Sequence, residues 1–81
     1  MKIKVLLFGI STDLVGLSSL ELKLSEDASV GSFKKVFQET YSNLTQLNSY
    51  AIAVNESYAD DDDTLLKEND VVAIIPPVSG G

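Results

Sequence analysis

The 81-residue chain contains no cysteine and no histidine. Without cysteine, disulfide bonds, thiolate metal sites and thiol nucleophiles are excluded. Without histidine, the commonest metal ligand and the usual proton shuttle at neutral pH are missing as well. We therefore expect no metal site and no self-sufficient catalytic centre, so any reaction of this chain should depend on catalytic groups that partner proteins supply.

Basic residues are also scarce, and long apolar runs are missing. Twelve acidic residues outnumber six basic ones, which gives a net charge of −6. Such a surface repels nucleic acid and anionic membranes and favours basic protein grooves, although the same charge also serves solubility. No apolar run approaches the ~18 residues of a membrane-spanning helix. The opening stretch MKIKVLLFGI alternates as a strand does rather than as a signal peptide. We expect a cytoplasmic protein that binds neither nucleic acid nor membrane.

The apolar residues of the first half follow two periods. An alternation of two in KIKVLLF and SSLELKL predicts an antiparallel strand pair, joined by a long loop with turn formers at Gly9 and Gly16. A helical spacing then runs from Val30 to Leu44, and Ser29 is placed to cap that helix. The chain is thus predicted to begin with two strands and one main helix.

Three further strands are predicted in the second half. YAIAVN continues through a tight turn at Asn55-Glu56 into a short strand at Tyr58-Ala59. A solvated acidic loop, anchored by Leu65-Leu66, then leads to Asn69, which we expect in the left-handed conformation. The last run, VVAIIP, is almost continuously apolar, which predicts a strand at the centre of the sheet.

This order of elements predicts an α+β fold. A mixed sheet with one main helix across one face is the simplest packing of these elements, with the first and last strands as parallel neighbours. That arrangement is the ubiquitin-like β-grasp. We assign residues 1–75 to the domain and residues 76–81 to an extended C-terminal tail with the sequence PPVSGG.

One face of the predicted sheet has no helix to cover it. Phe8 and Ile75 should lie near the same end of this face, because the first and last strands are predicted to be parallel neighbours. The other members of the face are Leu6, Ala51, Ala53 and Ala73. A contiguous exposed apolar surface usually marks a binding face. The alternative is that the segment ISTDLVGL folds over it.

The tail is the candidate reactive site. Pro76 and Pro77 lack N–H groups, so they should leave the sheet along an extended path. At about 3.3 Å per residue, the six residues after Ile75 reach roughly 20 Å. Gly80 and Gly81 have no Cβ and can enter a narrow passage with the α-carboxylate at the tip. Activation by ATP on a partner would let that carboxylate accept sulfur or a lysine amine; a frayed, inert terminus is the alternative.

Three segments carry a family resemblance. VLLFGISTDLVG, VNESYA and LLKENDVVAIIPPVSGG, together with the intervening helix, resemble the small subunit of molybdopterin synthase. The resemblance covers essentially the whole chain in order, and PPVSGG is its most specific part. Members of that family are ubiquitin-like sulfur carriers.

The resemblance implies a non-catalytic, sulfur-carrying subunit of molybdenum cofactor biosynthesis. An E1-like adenylating enzyme would use ATP to activate Gly81, which a sulfur donor on a partner would convert to a thiocarboxylate. The loaded tail would enter the large synthase subunit and give its sulfur to precursor Z, cyclic pyranopterin monophosphate, to form molybdopterin. The complete synthase would be a heterotetramer of two small and two large subunits, and this chain would itself bind no cofactor.

The resemblance also assigns site residues and shows departures from the family. Phe8 and Ile75 match positions that pack against partners, although Ile75 is often Phe in the family. Thr12 and Asn69 stand where many members have Arg and Gly, and the acidic Asp60–Asp63 run is longer than expected, with its role open. The residues that match the inserted, reactive tail are Pro76, Pro77, Val78, Ser79, Gly80 and Gly81.

Three other functions remain open on the sequence alone. A sulfur carrier for thiazole synthesis would also end in Gly-Gly but would usually lack PPVSGG. A ubiquitin-related modifier would form an isopeptide with a lysine. A plain interaction module would carry an inert tail.

Overall fold

A computed structural model of the chain describes residues 1–42, 50–59 and 61–76. Two helices and five strands form in the order β1, α1, β2, α2, β3, β4, β5. Their bounds are Lys2–Leu7 for β1, Ile10–Val15 for α1, Ser19–Lys23 for β2, Val30–Thr40 for α2, Ala51–Val54 for β3, Ser57–Tyr58 for β4 and Val71–Ile75 for β5. Within the described ranges, neither helix is long and apolar enough to cross a membrane.

The strands form one mixed sheet in the order β2-β1-β5-β3-β4. β1 pairs with β2 antiparallel and with β5 parallel, and β5 pairs with β3 antiparallel. The predicted central position of the last strand and its parallel pairing with the first strand are confirmed. The sheet with a helix across it is the predicted ubiquitin-like β-grasp.

The core lies between the sheet and α2. Ile3, Val5 and Leu7 alternate toward it from β1, as the period of two predicts. Phe33 and Phe37 are fully buried from α2, with ring centroids 5.4 Å apart. Full burial of such a side chain contributes about 1.5–3 kcal/mol. The remaining buried residues of the cluster are Leu24, Ala28, Val30, Ile52, Leu66, Val72 and Ile74.

The connection between β1 and β2 differs from the predicted loop. It contains α1, a helix that ends where Gly16 adopts the left-handed conformation (φ 86°, ψ 9°) and donates its N–H to the Thr12 carbonyl at 2.8 Å. The buried Ser11 hydroxyl fixes its start, since it accepts from the Phe8 N–H at 3.2 Å and donates to the Phe8 carbonyl at 2.5 Å. These local contacts create a helix too short for the apolar period to indicate.

The acidic loop is docked onto the start of α2 rather than merely solvated. Val30 and Gly31 donate their backbone N–H groups to the carbonyls of Thr64 and Asp62, each at 2.9 Å. Ser29 caps the helix as predicted, because its hydroxyl accepts from the Ser32 N–H at 3.2 Å. The loop therefore satisfies N–H groups that the helix itself leaves unpaired.

Three local predictions need adjustment. The short strand is Ser57–Tyr58, one residue earlier than predicted. Only Leu66 anchors the acidic loop, since Leu65 is 63% exposed whereas Leu66 is 3% exposed. α2 ends at Thr40 with Tyr41 as its cap, and Leu44 lies outside the described residues. Asn55, Glu56 and Asn69 all have the positive φ that their predicted turn positions require.

The anchor can be tested with two adjacent leucines. Leu66→Ala should lower the free energy of unfolding by about 2–5 kcal/mol, because it removes a buried side chain and leaves a cavity. Leu65→Ala, the matched control at an exposed position, should stay within about 0.5 kcal/mol of the unchanged protein. Urea denaturation followed by circular dichroism measures both values. Equal losses in the two variants would contradict the assignment of Leu66 as the anchor.

Candidate functional site

A shallow apolar groove crosses the sheet face opposite α2. It contains the predicted residues Phe8 and Ile75, which lie at the end of the sheet where β1 and β5 finish. We call it the helix-free groove. Its lining residues are Leu6, Phe8, Ala53, Asn55, Glu56, Tyr58, Val71, Ala73 and Ile75.

Strand register explains why this surface is flat in its middle and raised at its edges. Ala73 on β5 is paired on one side with Leu6 and on the other with Ala53, so two small side chains, Ala73 and Ala53, meet at the centre. The two aromatic side chains of the groove, Phe8 and Tyr58, are 49% and 70% exposed. An exposed aromatic beside a flat apolar floor is suited to packing against another protein.

The β3–β4 hairpin gives this groove a polar rim that the sequence did not reveal. Asn55 and Glu56 form its two-residue turn with φ values of 50° and 72°. The Asn55 side chain accepts from the Val71 N–H and donates to the Asp70 carboxylate, both at 2.9 Å. The rim is therefore tied to the start of β5. The sequence predicted the turn itself. It did not predict the contacts between this turn and the start of β5, because those contacts depend on the pairing of β3 with β5.

The segment ISTDLVGL does not close the groove. None of its residues lines the groove, and Phe8 stays half exposed beside it. Its own apolar residues Ile10 and Leu17 are 58% and 48% exposed. This segment therefore exposes apolar side chains of its own, in addition to those of the groove.

Pro76, the first residue of the predicted tail, lies at the same end of the sheet as this exposed apolar surface. Pro76 follows Ile75 at the end of β5 and is partly buried. An added Cβ at Gly9 would lie 3.0 Å from the Cγ of Pro76, so the two residues are in close contact. Pro77, Val78, Ser79, Gly80 and Gly81 lie outside the described residues, and their assignment to the reactive tail stays a prediction.

Groups that could bind a metal or perform proton transfer do not gather at the groove. Across residues 1–42, 50–59 and 61–76, no three acidic side chains are close enough together to hold a metal ion. Glu56 is the one carboxylate among the residues that line the helix-free groove. What this arrangement offers chemically is a docking surface beside the root of the tail.

Comparison with known proteins gives a family match over nearly the whole chain. The ThiS family model matches residues 5–81. A molybdopterin synthase sulfur carrier subunit of Dictyostelium discoideum is 37% identical over 82 aligned positions, which cover 96% of this chain and 94% of the relative.

Solved structures share the fold over similar lengths. A Pyrococcus furiosus protein described as a putative molybdopterin converting factor, subunit 1, has a TM-score of 0.87 and 29% identity, with coverage of 96% of this chain and 99% of its own. A chain from the Helicobacter pylori complex of subunits 1 and 2 of molybdopterin-converting factor has a TM-score of 0.74, 28% identity and full coverage of both chains. Small archaeal modifier protein 1 of Methanosarcina acetivorans has a TM-score of 0.83 and 26% identity, covering 99% of this chain and 96% of its own.

Proposed function

Since this chain belongs to the ThiS family, we propose that it is the sulfur carrier subunit of molybdopterin synthase. The observation that carries the proposal is the position of Pro76, which leaves the sheet beside the exposed Phe8 and the helix-free groove. A partner that covers the groove would thereby receive the tail. The full-length similarity to a curated sulfur carrier subunit supports the same function.

The proposed chemistry takes place at the terminal carbonyl. A carboxylate oxygen of Gly81 attacks the α-phosphorus of ATP on an E1-like adenylating enzyme, which forms the acyl-adenylate and releases pyrophosphate. A hydrosulfide equivalent from a sulfur donor then attacks the carbonyl carbon and expels AMP, leaving a thiocarboxylate. The 81 residues contain no cysteine or histidine, so the catalytic groups for both steps belong to the partners.

In the second half of the proposed cycle, the loaded tail enters the large synthase subunit. The sulfur passes to precursor Z on the way to molybdopterin, and oxygen from water restores the carboxylate of Gly81. Val78, Ser79 and Gly80 would lie along the entry passage, where glycine needs the least room. The Helicobacter pylori complex, which joins subunits 1 and 2, supports a large-subunit partner of this kind.

A second candidate function is protein modification. The structural similarity to a small archaeal modifier protein at 26% identity favours this alternative. In that case a lysine amine, rather than a sulfur donor, would attack the activated carbonyl and form an isopeptide. Both functions share the adenylation step, so the product that forms afterwards distinguishes them.

Incubation with a cognate adenylating enzyme, ATP and a sulfur donor should replace one oxygen of the terminal carboxylate with sulfur. Intact mass spectrometry of the chain measures this change. Deletion of Gly81 should abolish this change while leaving the melting temperature unchanged, because the last strand of the sheet ends at Ile75.

The matched control is Leu65→Ala, which changes an exposed residue outside the tail. This variant should gain sulfur as the original chain does. Stable adducts to other proteins in place of the sulfur gain would favour the modifier function. A lowered melting temperature on deletion of Gly81 would contradict the assignment of that residue to an extended tail.

Phe8→Asp should weaken binding of the large subunit by at least about 2 kcal/mol, or roughly 30-fold, because a charge replaces an exposed aromatic anchor. Stability should change by only about 0.5 kcal/mol, since Phe8 is half exposed. Isothermal titration calorimetry with the large subunit measures the affinity.

Leu65→Asp is the control for Phe8→Asp, because it makes the same apolar-to-acidic change at an exposed position outside the groove. It should leave the affinity unchanged. Equal weakening in both variants would attribute the effect to net charge and remove the groove from the proposed interface.

A further inference from the structure

We infer that Gly9 is a positioning residue for the proposed sulfur transfer, because it forms a seat that sets the direction in which the tail leaves the sheet. This inference rests on the proposed function. It assigns a role to a residue that lies at the opposite end of the sequence from the reacting carbonyl.

The first observation is the contact itself. A Cβ built on Gly9 would lie 3.0 Å from Cγ and 3.7 Å from Cδ of Pro76. Carbon atoms in van der Waals contact stay about 3.5–4.0 Å apart. An alanine side chain at position 9 would therefore press on the proline ring, which would have to shift by a few tenths of an ångström. We call this contact the Gly9–Pro76 seat.

The second observation is that the Gly9 side of the seat is held firmly. Gly9 has φ 57° and ψ −138°, a conformation that side chains disfavour. The buried Ser11 hydroxyl holds the preceding residue, Phe8, at both its N–H and its carbonyl. Gly9 in turn accepts a backbone hydrogen bond from Thr12 at 3.1 Å. These hydrogen bonds thus hold the turn on both sides of Gly9.

The third observation concerns the Pro76 side. Ile75 is fixed in the sheet through its pairing with Ala51, and Pro76 is the next residue. The proline ring restricts its own φ to about −65° and restricts the residue before it as well. With the ring resting on Gly9, few directions remain for the chain that follows. The seat therefore orients the root of the tail relative to Phe8 and the helix-free groove.

Orientation matters because the reacting carbonyl must reach active sites on other proteins. A misplacement of about 1 Å by a distant change can slow a reaction by roughly a hundredfold. Displacing Pro76 would change the point from which the tail starts relative to a partner that is docked on the groove. We therefore expect a slower reaction of the terminal carbonyl in the partner's active site, in a protein that remains folded.

The test compares Gly9→Ala with Gly16→Ala. Both glycines have positive φ, so alanine is strained at either position, and each variant should lose thermal stability. Only Gly9 faces Pro76, because a Cβ at Gly16 has nothing within 4 Å. Gly9→Asn is the second variant, since it places a Cβ at the same point as alanine. The ψ of −138° at Gly9 lies outside the left-handed region that Asn favours, so this variant should lose stability as well.

The measurement is the rate of the sulfur-for-oxygen exchange, followed by intact mass spectrometry with the adenylating enzyme, ATP and sulfur donor. Gly9→Ala and Gly9→Asn should slow it by roughly threefold to tenfold, because Pro76 must give by a few tenths of an ångström. Gly16→Ala should leave the rate near that of the original chain. The same pattern is expected for sulfur delivery to the large subunit.

Pro76→Ala then separates positioning from general destabilisation. It removes the ring atoms that an added Cβ at Gly9 would meet, so Gly9→Ala should cost little further rate in a chain that already carries Pro76→Ala. The inference is overturned if Gly9→Ala lowers the exchange rate by the same factor with and without Pro76→Ala. It is also overturned if both Gly9 variants keep the original rate, or if Gly16→Ala lowers the rate as much as Gly9→Ala does. If the chain without any substitution gains no sulfur, the proposed function is overturned, and the inference that rests on it is overturned as well.

Discussion

The parallel pairing of β1 with β5 is the constraint on which both the fold and the site depend. It joins the start of the chain to its end, and in its register Val5 lies opposite Val72 and Leu7 opposite Ile74. All four side chains are buried in the core under α2. The next residues along the chain are Phe8, which directly follows β1, and Ile75, which ends β5, and both emerge at the same end of the sheet. A slip of one residue would turn the apolar set of β5 to the other face, so the register that builds the core also places the root of the tail beside the groove.

The two faces of this sheet differ in side-chain size and in burial. Toward α2, the strands present branched side chains that fill the space around Phe33 and Phe37, both fully buried. On the other face, Ala53 and Ala73 lie opposite one another and leave a flat floor. A flat floor costs the monomer little, because small side chains expose little apolar area. The larger apolar groups stand at its edges, where another protein can cover them without any rearrangement of the core.

Most of the fold was predictable from the sequence because periodicity dictates which residues are buried. The strands, the main helix with its Ser29 cap and the left-handed Asn69 were all signalled locally. The α1 helix was not, since it depends on the Ser11 hydroxyl and a left-handed Gly16 rather than on an apolar period. The docking of the acidic loop on α2 and the link from Asn55 to Asp70 join residues far apart in sequence. Such contacts follow from tertiary packing, so no local pattern could reveal them.

For the site, the sequence predicted Phe8 and Ile75 on one face but not the polar rim or the contact between Gly9 and Pro76.

The lack of cysteine and histidine would protect the activated terminus of the proposed carrier from side reactions on its own chain. An activated terminal carbonyl is vulnerable to any nucleophile nearby, and thiolates are the most reactive of the common side-chain nucleophiles near neutral pH. The 81 residues provide no thiol and no imidazole, so the proposed acyl-adenylate and thiocarboxylate would meet neither group on their own chain. The remaining nitrogen nucleophiles of the side chains are lysine amines. Selectivity then depends on where the tail is delivered, and the rigid register of β1 and β5 is what fixes the starting point of that delivery.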